Sequence, residues 1–519
     1  MTTRHSVLRG AFLLSAAGII CKILGAAYRI PLVRLIGDEG IGLYQMAYPV
    51  YLVFMALSTA GMPLAISKLV AERAALSDYR GARRVLRLAL CTLGGLGAAG
   101  GAAMAGGARF FSQHVAADPR AFPVVLSLAP SVPLMALMSA LRGFFQGGRD
   151  MMPSALSQLV EQIVRVSTLL VLAVLLLPMG IEMAAAGAAF GACAGGAAGL
   201  SLLVFWYFSR PWPAGTTEPP PSYWRLARRL VRLALPIAAG ALLLPLMQTI
   251  DSVMVPTRLQ AIGYGVGEAT AALGRLGNAW AVIYVPTTIT AALAVSLVPA
   301  VTEAWTRRQT AAAAGHIRQS LRTTVLICLP ATAGLFVLAP EICRVLYGGG
   351  SAAGVLRMLA PAAFFLGWQG VCAGALQGIG RTAAPVRNFL LGFILKVAVT
   401  GVLCANPNFG LRGAALGTVL GSALAAGLSF HELAKRFPLS GGVYGTLAKS
   451  GLGALAMGWL LMVMGIRCLP ASLNAFERLL ILLPGGMIAY VAVLWLLGGV
   501  AREDVEVLRR LIHPGSKHA

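Results

Sequence analysis

The chain reads as an all-α polytopic membrane protein, and three observations carry that reading. Of its 519 residues 58% are hydrophobic and only 12% charged, and the mean hydropathy is +0.79, more apolar surface than a soluble core of this size can hide. The apolar residues fall in repeated runs long enough to cross about 30 Å of hydrocarbon. Its 61 glycines and 28 prolines lie largely inside those runs, which suits helices that pack through small residues and break at chosen points.

About fourteen spans follow in order. The first, 10–34, carries Ser15, Lys22 and Arg29 at seven-residue intervals, a polar stripe two turns apart, with Gly18 and Gly25 beside it. Those glycines would let a helix or a ligand approach closely. Pro31 withdraws a backbone donor and predicts a kink next to Arg29. Arg34 lies outside the stripe and reads as an interfacial anchor. Arg4 and Arg9 mimic a signal peptide, but no small-residue cleavage site follows, so the first helix is expected to be retained. Helix two is 43–70, with Pro63 near its end, and helices three and four are 85–108 and 121–146. Helix five, 153–178, places Ser154, Gln158, Glu161, Arg165 and Thr168 on one continuous polar face, with Glu161 and Arg165 spaced for an i, i+4 pair. Helix six is 183–208.

The stretch 209–229, SRPWPAGTTEPPPSYWRLARR, breaks the apolar pattern and reads as a cytoplasmic linker. Helix seven, 230–256, holds Gln248, Asp251 and Ser252. Arg275 precedes helix eight, 279–303, either at a cavity mouth or as a plain loop residue. Helices nine and ten are 322–346 and 354–379. Helix eleven, 385–405, has Asn388 and Lys396 two turns apart, and helix twelve is 411–433. Two further helices, 445–468 and 476–500, precede a cytoplasmic tail, 501–519.

The two halves echo one another. FFQGGRDMMP (144–153) resembles ALQGIGRTAAP (375–385), with Arg149/Pro153 and Arg381/Pro385 at the same spacing, and Pro63 has a counterpart in Pro299. A duplicated six-helix unit follows, with lobes 1–208 and 230–433 and two extra helices within 434–500. The ligand site is then expected in the cleft between lobes.

The net charge of +24 is topological. Assigning loops alternately to the two sides collects most Lys and Arg on the side of the N-terminus, richest in 72–87, 210–232 and 303–322, so both termini are expected to be cytoplasmic. Nucleic acid is not the partner this charge implies. The eight cysteines are scattered singly, with no C-x-x-C and no histidine at ligand spacing, so neither disulfides nor a metal site is expected. No Walker loop, G-x-S-x-G or H-E-x-x-H occurs, and neither an enzyme nor a cofactor is indicated.

What remains is charge inside lipid. A cation near mid-membrane costs about 3 kcal/mol on insertion scales, so Lys22 and Arg29 on one face point to an anionic ligand. The helix-five face of Gln158, Glu161 and Arg165 either lines a polar path or is a self-satisfied ion pair. Asp251 and Lys396 are each the lone charge in mid-helix. They either neutralise one another or couple transport to a cation.

ILGAAYRIPLVRLIGDEGIGLYQMAYPVYLVF, GMPLAISKLVAE, IDSVMVPTRL, PTTITAALAVSLVPAVTEA and the paired Q-G…R-x-x-x-P turns resemble the stage V sporulation protein B group. That group belongs to the polysaccharide transporters of the multidrug/oligosaccharidyl-lipid/polysaccharide (MOP) exporter superfamily, alongside lipid II and O-antigen flippases. The resemblance covers nearly the whole chain. It implies two six-helix lobes around a cavity that opens alternately to each side of the bacterial cytoplasmic membrane, and a polyprenyl-diphosphate-linked sugar as substrate. The family's helix-one cavity arginines fall on Lys22 and Arg29, the first as a lysine and with one extra residue between them. Its cavity arginine and acid on helix two have no counterpart, since 43–67 is uncharged. Of the acids of its sodium site only Asp251 is represented, because helix eleven offers Asn388 and Lys396 instead. Two competing readings are a multidrug or cation antiporter of the same architecture and a non-transporting scaffold in wall or spore assembly. An antiporter needs carboxylates facing its cationic drug, whereas here intramembrane bases outnumber Glu161 and Asp251.

Overall fold

The computed structural model describes residues 2–59, 61–209, 222–465, 469–470 and 472–499, with side chains outside 2–12, 235–241, 243–244 and 440–441. Most of the expected linker, the expected tail and the side chains of Arg4 and Arg9 lie outside the described residues. The helices are α1 (Thr2–Ala27), α2 (Arg29–Thr59), α3 (Met62–Ala75), α4 (Tyr79–Phe110), α5 (Ala121–Leu128), α6 (Ser131–Gly147), α7 (Met152–Leu176), α8 (Ile181–Ser209) and α9 (Tyr223–Ala261). They continue as α10 (Val266–Thr306), α11 (Thr310–Val337), α12 (Ala339–Tyr347), α13 (Ala353–Leu359), α14 (Pro361–Gly378), α15 (Ala383–Leu403), α16 (Leu411–Ala434), α17 (Ser440–Val463) and α18 (Ala475–Leu496). No strand occurs among the described residues.

Twelve stretches among the described residues are long and apolar enough to cross a membrane, which makes this an all-α polytopic membrane fold. The count differs from fourteen at two places: 13–75 counts as one apolar stretch although Gly37, non-helical at φ 65° and ψ −175°, divides α2 between the first two expected helices, and 230–256, embedded in the 39-residue α9, is not among the twelve. Four expected helices also break where the backbone demands it. Helix two divides at Gly61, which takes φ 75° as Pro63 opens α3. Helix four divides around Pro130, helix nine at Leu338 before Pro340, and helix ten before Pro361. Helix eight begins earlier than expected, at Val266, so Arg275 is helical rather than in a loop.

Packing separates the chain into two units, Met1–Gly274 and Arg275–Ala519. In the first, α7 and α8 form the most extensive helix pair, and α15 and α16 do so in the second. Both pairs are seams of small residues. A Cβ on Gly195 of α8 would lie 2.5 Å from the Glu161 carbonyl and one on Gly191 2.7 Å from that of Arg165, so only glycine admits this approach. On α16 a Cβ at Gly421 would sit 2.8 Å from Lys396 Cβ and one at Gly417 3.0 Å from the Lys396 carbonyl. In each unit the glycine face grips the backbone of the charged helix and turns its polar side chains elsewhere.

The α9–α10 turn is tied down by one polar cluster. Arg120 donates to Glu39 at 2.6 Å and, through two nitrogens, to the fully buried Asp118 at 3.0 and 2.9 Å, while the Thr270 hydroxyl donates to Asp118 at 2.7 Å. The hydrogen bonds to Asp118 hold the Arg120 pKa above its ordinary value.

Candidate functional site

In the first unit α1 lies against α7. Cys21 Sγ donates to the Gln158 carbonyl at 3.4 Å, and a Cβ on Gly25 would meet Gln162 Nε2 at an ordinary 3.6 Å. Nothing stands within 4 Å of a Cβ on Gly18. The glycine pair is thus no close-packed seam, and the α1 face beside Lys22 is open. Lys22 is exposed and Arg29 half-buried. The helix runs on through Tyr28, whose N–H donates to the Leu24 carbonyl and whose carbonyl accepts from Leu32 N, both at 3.1 Å, and its break comes at Gly37, at φ 65° and ψ −175°. Lys22 and Arg29 therefore lie two turns apart ahead of that break. Arg29 Nε and Nη2 are buried with no hydrogen-bond partner, the kind of group that folded chains satisfy with a ligand or water.

Glu161 does not pair with Arg165. It binds Arg142 of α6 at 2.8 Å, both side chains largely buried, and Arg142 Nε also donates to Ser157 Oγ at 2.9 Å. Arg165 turns to α2 instead. Its Nη2 donates to the Tyr48 hydroxyl at 3.1 Å, and the guanidinium lies 5.6 Å from that ring's centroid. Tyr48 in turn stacks on Tyr44 at 5.3 Å and packs against Tyr51 at 5.7 Å. The physical reason is competition. An i, i+4 pair on a helix surface gains little, whereas a buried carboxylate facing a neighbouring guanidinium has no better solution. Sequence reasoning missed Arg142 and the tyrosines. The 44, 48, 51 spacing in LYQMAYPVY was a readable sign of the latter.

In the second unit Lys396 lies 5.9 Å over the Trp280 ring, which stacks on Tyr284 at 5.3 Å. Lys396 follows Gly380 on α15 by the same interval as Arg165 follows Arg149 on α7. Each unit thus sets a cation of the glycine-gripped helix over an aromatic pair, on α2 or on α10. Asn388 is buried away from that pair: its amide donates to Ser429 Oγ at 3.2 Å and its oxygen accepts from Arg387 at 3.2 Å, with Arg387 bound to Glu432 at 2.9 Å. Arg275 is half-buried with Nε buried and without a partner. Asp251, half-buried on α9, belongs to the first unit and Lys396 to the second.

The twin turns match in backbone but not in the register their arginines suggest. Arg149 N bonds to Gln146 O and Asp150 N to Phe145 O; Gly380 N bonds to Gln377 O and Arg381 N to Leu376 O. The left-handed position is Arg149 at φ 62° in one copy and Gly380 at φ 82° in the other, so Arg381 corresponds to Asp150.

A model of the polysaccharide biosynthesis protein family matches residues 7–305, and one described as MatE matches residues 236–402. The chain is 32% identical over 445 residues to stage V sporulation protein B of Bacillus subtilis (strain 168), covering 84% of this chain and 85% of that protein. It is 27% identical over 452 residues, 80% of each chain, to the lipid II flippase MurJ of the same organism. Among solved structures, the inward closed conformation of lipid II flippase MurJ superposes with a TM-score of 0.64 at 16% identity, over 93% of this chain and 98% of that one. An inward-facing multidrug resistance MATE family transporter gives 0.67 at 17% identity, over 82% and 98%. At those identities the likeness to the two structures is one of fold. The activities named in these relatives are transport, not catalysis. By the family match, which covers more than half of the chain, and the relative at 32% identity, the chain belongs to the polysaccharide biosynthesis protein family.

Proposed function

We propose that the protein is a flippase that moves a polyprenyl-diphosphate-linked oligosaccharide, lipid II or a related wall or cortex precursor, across the bacterial cytoplasmic membrane. It works by alternating access of two six-helix lobes, with both termini cytoplasmic. The observation that carries the reading is Arg29: two buried guanidinium nitrogens without partners stand two turns beyond an exposed Lys22 on an open face. A diphosphate supplies the acceptors these donors lack, and guanidinium binds phosphate bidentately. Gln158, the Glu161–Arg142 pair and Arg165 line the sugar path, Arg275 adds a second phosphate contact, and Asp251 is the carboxylate assigned to a coupling cation. Asn388 and Lys396 serve the charge balance of the second half.

The relatives named lipid II flippase and stage V sporulation protein B support this class of substrate. Lys22→Ala and Arg29→Ala, singly and together, are expected to abolish rescue of a strain lacking its own wall-precursor flippase, with surface levels of the protein unchanged. Full rescue by the double variant would sink the assignment. The likeness to a MATE transporter favours a second reading, export of cationic drugs. Of the carboxylates such a drug would seek, Glu161 is already held by Arg142, and drug-resistance profiles on overexpression separate the two.

A further inference from the structure

One sequence pattern occurs twice and is explained by neither transport nor topology. RGARRVLR (80–87) and RLARRLVR (225–232) both read R-x-A-R-R-x-x-R. The spacing i, i+3, i+4, i+7 puts four arginines on a single face of a helix. Each pattern sits at the very start of its helix, α4 at Tyr79 and α9 at Tyr223.

The fold brings the two starts together. Val85, Leu86 and Ala89 of α4 pack in one core cluster with Leu226, Leu230 and Ala234 of α9. Arg84 stacks on the Tyr223 ring with its Cζ 4.0 Å from the centroid. With the apolar faces turned inward, Arg80, Arg87, Arg225 and Arg228 are exposed. Glu72 takes Arg229 at 2.8 Å, and Asp78, which caps α4, takes Arg73 at 3.6 Å.

Topology asks only that basic residues lie on one side. It does not ask for two matched faces, nor for their placement at helix N-termini, where the macrodipole already carries partial positive charge and opposes them. Neither helix has an acid in its first turn. Eight guanidinium groups and two helix starts of the same sign outnumber the acids Glu72 and Asp78 beside them, and the complement to that field is an array of phosphates.

We propose that this paired arginine face binds anionic phospholipid headgroups, of the phosphatidylglycerol type, in the leaflet that α4 and α9 enter. The membrane is the occupant because the patch lies where the apolar stretch 79–115 begins. Trp224 and Tyr223, 76% and 42% exposed, stand beside it, as aromatic residues do at headgroup level. Juxtamembrane clusters of four to eight Lys and Arg bind anionic lipid in this way. The site does not depend on what the protein transports.

The test is native mass spectrometry of the full-length protein in detergent with equal amounts of dioleoyl phosphatidylglycerol or dioleoyl phosphatidylcholine. The wild type should retain the anionic lipid preferentially. R80Q/R87Q/R225Q/R228Q, which spares the stacked Arg84 and the paired Arg229, should lower that retention at least tenfold, given about fivefold per arginine. R307Q/R308Q, on a different segment, should leave it unchanged. Retention within twofold of wild type in the quadruple variant overturns the proposal. So does complete displacement of the lipid by equimolar pyrophosphate, which would make a free phosphate the occupant. Should the quadruple variant fail to insert, Trp224-dependent quenching, wild type minus W224F, in nanodiscs doped with brominated lipid decides. Stronger quenching by brominated phosphatidylglycerol than by brominated phosphatidylcholine supports the site, and equal quenching overturns it.

Discussion

The Arg142–Glu161 pair gives the sharpest quantitative test of the structure, because it competes with a pairing that the local sequence favours. The side chains of Arg142 and Glu161 are 16% and 12% exposed and their charged atoms are 2.8 Å apart. Removing one member of a buried pair costs about 3–5 kcal/mol, chiefly by stranding the other charge. Glu161→Gln leaves Arg142 its bond to Ser157 at 2.9 Å, which places this loss at about 3 kcal/mol, the lower end of that range. Arg142→Gln leaves Glu161 without its partner and should cost at least as much. In a double-mutant cycle the Arg142/Glu161 coupling should reach about 2 kcal/mol, within the range for contacting residues. The Glu161/Arg165 cycle should give no more than about 0.5 kcal/mol, the value of a surface i, i+4 pair. Reversible unfolding in mixed micelles measures both cycles on the same protein. If Arg165 couples to Glu161 more strongly than Arg142 does, the side-chain arrangement described for α6 and α7 is wrong.

Arg149→Gly should stabilise the protein by about 0.5 kcal/mol, because relief of a left-handed non-glycine residue exceeds the added chain entropy of glycine, and Gly380→Arg should destabilise it; both are read from the same unfolding curves. Gly195→Ala should cost about 2 kcal/mol, since its Cβ would sit 2.5 Å from the Glu161 carbonyl, while Gly18→Ala should stay within about 0.5 kcal/mol of wild type. Arg120→Ala removes the guanidinium from a fully buried carboxylate and should cost about 3 kcal/mol, a loss that Asp118→Asn in the same chain should partly restore. Arg165→Lys, which gives up the planar guanidinium held by Tyr48, should reduce rescue of a flippase-deficient strain more than Lys396→Arg, which keeps a cation over Trp280; equal effects would count against different roles for the two halves.

The class and the polar face of helix five were legible because each is a local property: hydropathy and period. Helix breaks at Gly61, Pro130 and Pro361 were harder. A proline within an apolar run is compatible with either a kinked or a divided helix, and tertiary packing decides. The partner of Glu161 was not legible at all. Spacing along one helix finds Arg165, but Arg142 reaches Glu161 only because α6 and α7 cross there. The turns were paired one residue out of register, since matching arginines compares side chains whereas the fold repeats a backbone conformation that tolerates glycine in one copy and strains arginine in the other. The glycine runs 187–199 and 413–421 could have located both helix pairs and the charged helices they grip.

Those runs also explain how the cations of α7 and α15 are directed. Glycines on α8 and α16 bring a second helix backbone against α7 and α15, so Arg165 and Lys396 cannot turn that way, and each faces an aromatic ring on α2 or α10. A ring face attracts a cation by about 0.5–2 kcal/mol, well below the strength of a buried carboxylate pair. The halves then differ in what surrounds that shared motif. The first adds the open α1 face with Lys22 and the unpartnered Arg29, together with a neutralised Arg142–Glu161 pair; the second surrounds Asn388 with an arginine–glutamate network. The open α1 face and the unpartnered Arg29 of the first half are what the proposed diphosphate contact rests on.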